Sequence, residues 1–365
     1  MKIVLTGGGT GGHAYPAVSI GRAIRAESPA CELLYIGSRG GMEQDMAEKA
    51  GIRFVGLTSR KMGRALSFGT FLTAASLARG FLEASAALRR FKPDLVIGTG
   101  GYVAAAVVMA QAMRRGKTLI HEQNVVPGRT NSMLARFVSR ICVSFDQAAA
   151  HFPEGKSVVT GLPVRPEILD RPDRASARER LRLNPDRFTL LVFGGSQGAR
   201  SLNRAVADAL PRLRKLPIQV FHQAGTKNFH EALNVKKAAE WSGYHLHSYV
   251  DDMAAAYAAA DMVVCRSGAS TVCEVTIVGL PAVFVPYPFA ITDEQRRNAH
   301  YVADRGGALV IEDSDLTGDA LADCVERFLN SPDELAEMAE ASRKLGRPDA
   351  AREVVRVAVE LITAK

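Results

Sequence analysis

The feature that most constrains this chain is a device it uses twice: an apolar strand that runs into a glycine turn and then a helix. At the start, Lys2-Ile-Val-Leu-Thr6 leads into Gly7-Gly-Gly-Thr-Gly-Gly12, and His13 opens a stretch of helical spacing over 14–25. In mid-chain, Phe188-Thr-Leu-Leu-Val-Phe193 leads into Gly194-Gly-Ser-Gln-Gly-Ala-Arg200, followed by helical spacing over 201–210. Strand, turn and helix in that order bring backbone N–H groups and a helix N-terminus toward one point, where an anion, most often phosphate, binds. Two such turns, one opening each half of 365 residues, predict two domains of ordinary size.

The remainder of each half alternates short apolar runs with helical patterns. Strands are expected at 32–36, 54–57, 94–97 and 118–121, then at 189–193, 218–223, 244–248, 262–265, 282–285 and 308–311. A helix over 269–278 follows Arg266-Ser-Gly268. This βαβα order predicts parallel sheets covered on both faces, with ligands beyond the carboxyl ends of the strands. In the first half those ends carry Gly7–Gly12, Gly98-Thr-Gly-Gly-Tyr102 and His121-Glu-Gln-Asn124. Prolines and glycine without periodicity at Thr160-Gly-Leu-Pro-Val-Arg-Pro166 mark an interdomain linker. The charge-rich stretch 170–187 is expected to be a helix leading into the second sheet. The stretch 350–364 is apolar along much of its length (Val354, Val355, Val357, Val359, Leu361) and has no strand after it.

Composition narrows the function classes. Apolar content of 47% and charged content of 23% belong to soluble globular proteins, and no apolar stretch reaches the ~18 residues of a spanning helix. A chain that begins directly with a strand is not expected to carry a signal peptide. Cysteines 31, 142, 265, 273 and 324 lack CxxC spacing, which predicts reduced thiols in the cytoplasm and no zinc site. The net charge of +8 asks for an anionic partner: nucleic acid, anionic lipid or a phosphorylated substrate. Without an RNP-like aromatic motif, zinc finger or basic recognition helix, nucleic acid is the least supported of the three.

The first turn fits GxGxxG at Gly7, Gly9 and Gly12, but the next strand ends in Ile36-Gly-Ser-Arg39 where a dinucleotide fold places an acid for the ribose. It is not a Walker A loop, since no Lys-Ser/Thr follows; glycines serving only a tight turn are the plain alternative. At the start of a helix, the positive end of the dipole disfavours an imidazolium, so His13 is a candidate general base for a hydroxyl. A histidine that caps or packs the turn is the alternative. Ser196 and the N–H groups of 195–198 are placed to hold a diphosphate, with Arg165 and Arg200 as candidate added charge or ordinary surface residues. Glu274, about a turn into its helix, offers a carboxylate to two vicinal hydroxyls, or is an exposed first-turn glutamate. Asp313-Ser-Asp315 has the form of a metal–diphosphate DxD, but the helix after it argues for capping, and no metal is expected. Between 59 and 92, Arg60, Lys61, Arg64, Arg79, Arg89, Arg90 and Lys92 stand against the single acid Glu83, interleaved with Phe68, Phe71, Leu72, Leu77, Phe81 and Leu82. That is either an interfacial amphipathic stretch or a core helix with a solvated basic face.

Taken together, Gly7–His13 with Pro16, Gly98–Tyr102, His121–Asn124, Gly194–Gly198, Val250-Asp-Asp-Met253 and Arg266-Ser-Gly-Ala-Ser-Thr-Val-Cys-Glu274 resemble the MurG family of peptidoglycan N-acetylglucosaminyltransferases over nearly the whole chain. The resemblance implies a GT-B fold, two Rossmann-like doubly wound parallel-sheet domains with a cleft between them. It implies an acceptor and membrane-side domain of 1–163 plus a returning C-terminal helix 347–365, and a UDP-GlcNAc donor domain of 164–346. The implied reaction is inverting transfer of GlcNAc from UDP-GlcNAc to the MurNAc C4 hydroxyl of undecaprenyl-pyrophosphoryl-MurNAc-pentapeptide, lipid I to lipid II. By the same resemblance Thr10, Gly11, Gly12 and Asn124 contact the donor GlcNAc, Arg165 and Ser196 the diphosphate, and the Val250 backbone the uracil. Ala269, Ser270 and Thr271 line the nucleotide site, Glu274 takes the ribose diol, Gln295 the donor sugar, and His13 is the candidate base. No cofactor or metal is implied. The implied location is the cytoplasmic face of the bacterial inner membrane, peripherally held through 59–92 on anionic lipid. Ser270 stands where related sequences often carry leucine, and Glu294 where they carry a second glutamine, so Glu294 is given no role. A UDP-sugar epimerase or another GT-B glycolipid glycosyltransferase is the alternative. An NADP-dependent oxidoreductase, suggested by GxGxxG and Arg39, leaves the second glycine turn unexplained, and a non-catalytic nucleotide-binding module would release no UDP.

Overall fold

The computed structural model describes the backbone of residues 1–58, 68–290 and 292–364, and their side chains except those of 68–78. Packing divides the chain into two units, Met1–Val164 with Arg347–Lys365, and Arg165–Gly346.

The first unit holds a seven-stranded, all-parallel sheet in the order β3-β2-β1-β4-β5-β6-β7. Its strands are β1 Lys2–Thr6, β2 Glu32–Ser38, β3 Arg53–Leu57, β4 Leu95–Gly98, β5 Thr118–Glu122, β6 Arg140–Val143 and β7 Ser157–Val159. Strands β6 and β7 were not expected from the sequence. They are short, and Ser157–Val159 is only half-buried, so its run carries little apolar signal. The second unit holds a six-stranded parallel sheet in the order β10-β9-β8-β11-β12-β13. These are β8 Phe188–Phe193, β9 Ile218–Gln223, β10 Tyr244–His247, β11 Met262–Cys265, β12 Ala282–Phe284 and β13 Ala308–Val310. The expected α/β class with two doubly wound parallel sheets therefore holds. Runs such as Ile3-Val-Leu5 and Leu190-Leu-Val192 are buried on both faces because helices cover both.

In each sheet the strand order reverses once, between β1 and β4 and between β8 and β11, and a crevice opens at such switch points. Register brings the turns together there. Thr6 pairs with Gly98, so the turns after β1 and β4 leave the sheet side by side. Phe193 pairs with Cys265, doing the same for 194–198 and 266–268.

In the first unit, the helix Gly11–Glu27 buries Ala17, Ile20 and Ile24 against Ile3, Leu5 and Leu33. The last helix, Ala350–Thr363, packs on it and adds Val354, Val355, Val357 and Ala358 to the same core. Lys117 Nζ donates to the carbonyls of Ile362 (3.0 Å) and Ala364 (2.7 Å), tying down the end of that helix. In the second unit, the stretch 170–187 is not one helix. Pro166–Leu169 and Arg174–Arg180 are separate helices, because Pro172 between them lacks an N–H, and Asp173 caps the second by accepting from Ser176 N (3.0 Å). Arg182 at φ 55° and Pro185 end the helical stretch.

Candidate active site

In the first unit, two glycine turns interlock at the switch point. Gly8 N donates to the Gly100 carbonyl (3.3 Å), and the Tyr35 hydroxyl donates to the Gly7 carbonyl (2.7 Å). A Cβ on Gly101, whose φ is 87°, would fall inside the Gly8 carbonyl oxygen, so only glycine fits both the conformation and the space. Thr10 stands at the N-cap of Gly11–Glu27, and Gly11, Gly12 and His13 form its first turn. Thr99 Oγ1 donates to the His13 carbonyl (2.7 Å), and the His13 ring lies so close to Gly100 that a Cβ there would meet Cε1 and Nδ1 at 2.8 Å. His13 Nδ1 is 3.1 Å from Gln123 Oε1. Gln123 Nε2 in turn reaches His121 Nδ1 (3.2 Å) and the His121 carbonyl (2.7 Å), and His121 Nε2 lies 2.8 Å from the Gly161 carbonyl. The His121 ring is fully buried, which pushes its pKa down to about 4.

Asn124 is placed by the buried carboxylate of Glu122, which accepts from Asn124 N (2.9 Å), Asn124 Nδ2 (3.3 Å), Gly128 N (3.1 Å) and Asn131 Nδ2 (2.8 Å). Thr10, with Gly11, Gly12 and His13 in the first turn of the helix it precedes, thus lies beyond the carboxyl end of β1, and Asn124 lies beyond that of β5.

In the second unit, the turn 194–198 packs against the turn after β9: Thr226 N donates to the Ser196 carbonyl (3.4 Å), and Asn228 Nδ2 to the Gln197 carbonyl (3.3 Å). Ser196 is exposed and the helix Arg200–Leu213 follows. Gln223, buried at the end of β9, donates from Nε2 to the Gly195 carbonyl (3.1 Å) and accepts from Val250 N (2.8 Å). The Val250 N–H is therefore engaged within the protein. Ala269, Ser270 and Thr271 form the first turn of Ala269–Val278. Ser267 Oγ donates to the Gln295 carbonyl (2.8 Å), which brings the start of Glu294–Ala303 to that turn, while Gln295 Oε1 accepts from Tyr287 N (3.1 Å). Glu294 accepts from the backbone and hydroxyl of Thr292.

Glu274 is 7% exposed, not the exposed first-turn glutamate of the plain reading. Arg165 grips it from Nε (3.1 Å) and Nη2 (3.2 Å), and the buried Tyr257 hydroxyl donates to Oε2 (3.0 Å). Burial and the Glu274 charge hold the Tyr257 hydroxyl far above its ordinary pKa, so it stays a donor. Asp313 is not a helix cap: Thr317 caps Gly318–Asn330 through its hydroxyl, because it sits directly before the helix. Asp313 instead accepts from Ser201 Oγ (2.6 Å) and pairs with Arg266 (2.6 Å), whose guanidinium also reaches the carbonyls of Val285 and Pro286. Among the described residues no three His, Cys, Asp or Glu side chains gather as a cation site.

Of the stretch 59–92, Arg60, Lys61 and Arg64 lie outside the described residues, as do the side chains of Phe68, Phe71, Leu72 and Leu77. The helix Phe68–Phe91 turns Ala84, Leu88 and Phe91 into the core, leaves Leu82 65% exposed, and pairs Arg79 with Glu83 (3.0 Å). Arg89, Arg90 and Lys92 are exposed.

Sequence reasoning singled out the segments that hold Thr99 and Gln123 without giving these side chains a role, and it missed Gln223 and Tyr257. The two glutamines carried a readable signal, an uncharged polar residue at the carboxyl end of a buried strand, where it must find partners in the neighbouring loops.

The chain matches the glycosyltransferase family 28 N-terminal domain over residues 3–143 and the family's C-terminal domain over 189–354. It is 43% identical over 357 residues to the UDP-N-acetylglucosamine--N-acetylmuramyl-(pentapeptide) pyrophosphoryl-undecaprenol N-acetylglucosamine transferase of Desulforudis audaxviator, covering 96% of this chain and 95% of that one. Among solved structures it resembles Acinetobacter baumannii MurG, with a TM-score of 0.80 and 30% identity over 98% of this chain and 99% of that one. A UDP-GlcNAc 2-epimerase from Neisseria meningitidis superposes with a TM-score of 0.70 over 99% of this chain and 100% of that one, but at 13% identity the likeness is one of fold alone.

Proposed function

Since the chain belongs to glycosyltransferase family 28, among the N-acetylglucosamine transferases of N-acetylmuramyl-(pentapeptide) pyrophosphoryl-undecaprenol, we propose a division of labour between its two switch points. The enzyme transfers GlcNAc from UDP-GlcNAc to lipid I, giving lipid II and UDP in peptidoglycan synthesis. In the proposed division, the β8/β11 switch point takes the donor and the β1/β4 switch point the lipid-linked acceptor. The observation that carries this is the pair of glycine turns at each switch point, joined in the second unit by a buried, arginine-held carboxylate suited to a ribose diol.

In this reading, the N–H groups of 195–198 with Ser196 and Arg165 hold the diphosphate, and the helix starting at Ala269 offers its first turn, with Ser270 and Thr271, to the nucleotide. Val250 reads the uracil through its backbone, Glu274 the ribose and Gln295 the sugar. Thr10, Gly11, Gly12 and Asn124 meet the GlcNAc being transferred. The MurNAc C4 oxygen attacks the anomeric carbon, the bond to the diphosphate oxygen breaks, and UDP leaves with the electron pair. His13 takes the hydroxyl proton, and one displacement inverts the anomeric centre. Backbone dipoles aimed at the departing diphosphate stabilise the charge that develops there.

The acceptor is lipid-anchored, and no helix among the described residues is long and apolar enough to cross a membrane. The reading therefore includes peripheral binding to the cytoplasmic face through 59–92, supported by exposed Leu82, Arg89, Arg90 and Lys92. Each such cation contributes about 1 kcal/mol near an anionic leaflet.

The test is UDP release from UDP-GlcNAc with and without a lipid I analogue, in EDTA. Acceptor-dependent release that survives EDTA is expected. Tight UDP binding with acceptor-independent conversion of the sugar would favour an epimerase instead.

A further inference from the structure

Gln123 is 2% exposed and its amide lies between two histidine rings. The proton positions along this row follow from which atoms can only accept. His121 Nε2 faces the Gly161 carbonyl oxygen at 2.8 Å, so that nitrogen carries a proton. Burial keeps the ring neutral, which leaves a lone pair on Nδ1. Gln123 Nε2 faces this lone pair at 3.2 Å and the His121 carbonyl oxygen at 2.7 Å. Two acceptors on that side fix the amide with its NH2 toward His121 and its oxygen toward His13. That oxygen lies 3.1 Å from His13 Nδ1 and can only accept, so His13 Nδ1 carries a proton. On a neutral His13 ring the bare nitrogen is then Nε2. The ring is also held in place, since Thr99 grips the His13 carbonyl and Gly100 presses on the Nδ1 edge.

We propose that Gln123, anchored by His121 and the Gly161 carbonyl, is a positioning residue that locks His13 in the Nδ1–H tautomer and so presents Nε2 as the atom that receives the acceptor's proton. The row starts at Gly161, 40 residues beyond His121, so the tautomer at the first turn is set from the far end of the unit. The consequence for catalysis rests on the reading of His13 as the base; the tautomer itself does not.

The experiment uses the full chain labelled with 15N, with His13 identified by the signal that disappears in His13→Gln. Long-range proton–nitrogen correlation spectra of the free wild type should give His13 a pyrrole-type Nδ1 and a pyridine-type Nε2. The opposite pattern, or a fast-exchanging average, would overturn the proposal. In Gln123→Leu the signature should be lost and kcat should fall by about 10- to 100-fold, short of the ~10⁴-fold that a wrong tautomer costs a serine-protease triad, with KM for UDP-GlcNAc unchanged. Gln123→Glu retains an acceptor for Nδ1–H and, with its other oxygen protonated toward the two His121 acceptors, should recover the signature and part of kcat. If Gln123 only filled space, leucine would be tolerated better than a buried carboxylate, and that order of kcat would count against the proposal even where one variant folds poorly. A His13→Ala enzyme with full turnover would remove His13 as base while leaving the spectra as expected. A wild-type Nε2–H spectrum would sink the tautomer while leaving His13 as base.

Discussion

Gln223→Leu isolates one side chain that spans two segments of the proposed donor site. The amide is 4% exposed, donates to the Gly195 carbonyl and accepts from Val250 N–H. Leucine is similar in volume and removes both bonds. Val250 is 6% exposed, so its N–H is left buried without a partner, a loss of about 1–3 kcal/mol. The Gly195 segment is exposed, so its carbonyl can turn to water and only the net worth of one bond, about 0.5–1.5 kcal/mol, disappears. Together these put the destabilisation near 3 kcal/mol, and a domain of this size moves by about 2–4 °C per kcal/mol, so the second unit's transition should fall by roughly 6–12 °C. The ligand must then order the 194–198 turn and the Val250 segment itself. If half of that cost is met on binding, UDP affinity drops about tenfold, since ~1.4 kcal/mol is one decade in Kd. Scanning calorimetry reads the first quantity and titration calorimetry with UDP the second. A transition within about 2 °C of wild type would refute the energetic argument, and an unchanged UDP Kd would refute the placement of the nucleotide.

Three other outcomes are expected. Buried His121 and His222 have pKa values lowered to about 4 and about 3, against an ordinary 6.5. As pH falls below 6.5 the unfolded chain binds these protons and the folded chain does not, so stability drops toward pH 4 by up to ~1.4 kcal/mol per pH unit per histidine; urea midpoints that stay flat from pH 7 to 5 would contradict this. Gly101→Ala forces a Cβ onto the Gly8 carbonyl at φ 87°, a strain of at least ~1–2 kcal/mol, and should raise KM for a lipid I analogue while sparing UDP affinity; unchanged acceptor kinetics would remove the turn pair from the acceptor site. Wild type should prefer UDP to 2′-deoxy-UDP, and Glu274→Gln should shrink that ratio, whereas an equal ratio in both would sink the ribose role of Glu274.

What could be read in the sequence is what local chemistry decides. The strands around both glycine turns are buried on two faces, so their apolar runs are unbroken, and glycine at a crowded turn has no substitute. Strand β7 failed that test because Ser157–Val159 at the sheet edge needs little apolar surface. The helix expected over 170–187 failed at Pro172, whose missing N–H counts for more than the charge pattern around it. Asp313 was misplaced for a different reason: its partners Ser201 and Arg266 are 112 and 47 residues away, and nothing near Asp313 distinguishes an ion-pair partner from a cap. The same distance hid Gln123 and Gln223. Each could be seen to end a strand, but that Gln123 would meet the His13 ring 110 residues away, and Gln223 the Gly195 carbonyl and Val250 N–H, depends on a fold that local pattern does not contain.

The last helix has a consequence for how the protein is made. Val354, Val355, Val357 and Ala358 complete the core beside Ile20 and Ile24, yet they leave the ribosome only after the whole of Arg165–Gly346. At about 5–20 residues per second that interval lasts on the order of 10–40 s. During it the second unit, contiguous in sequence, can already fold, while the first waits with an apolar face uncovered on Gly11–Glu27. Nascent chains stalled just short of residue 350 should therefore be chaperone clients through the uncovered face of Gly11–Glu27.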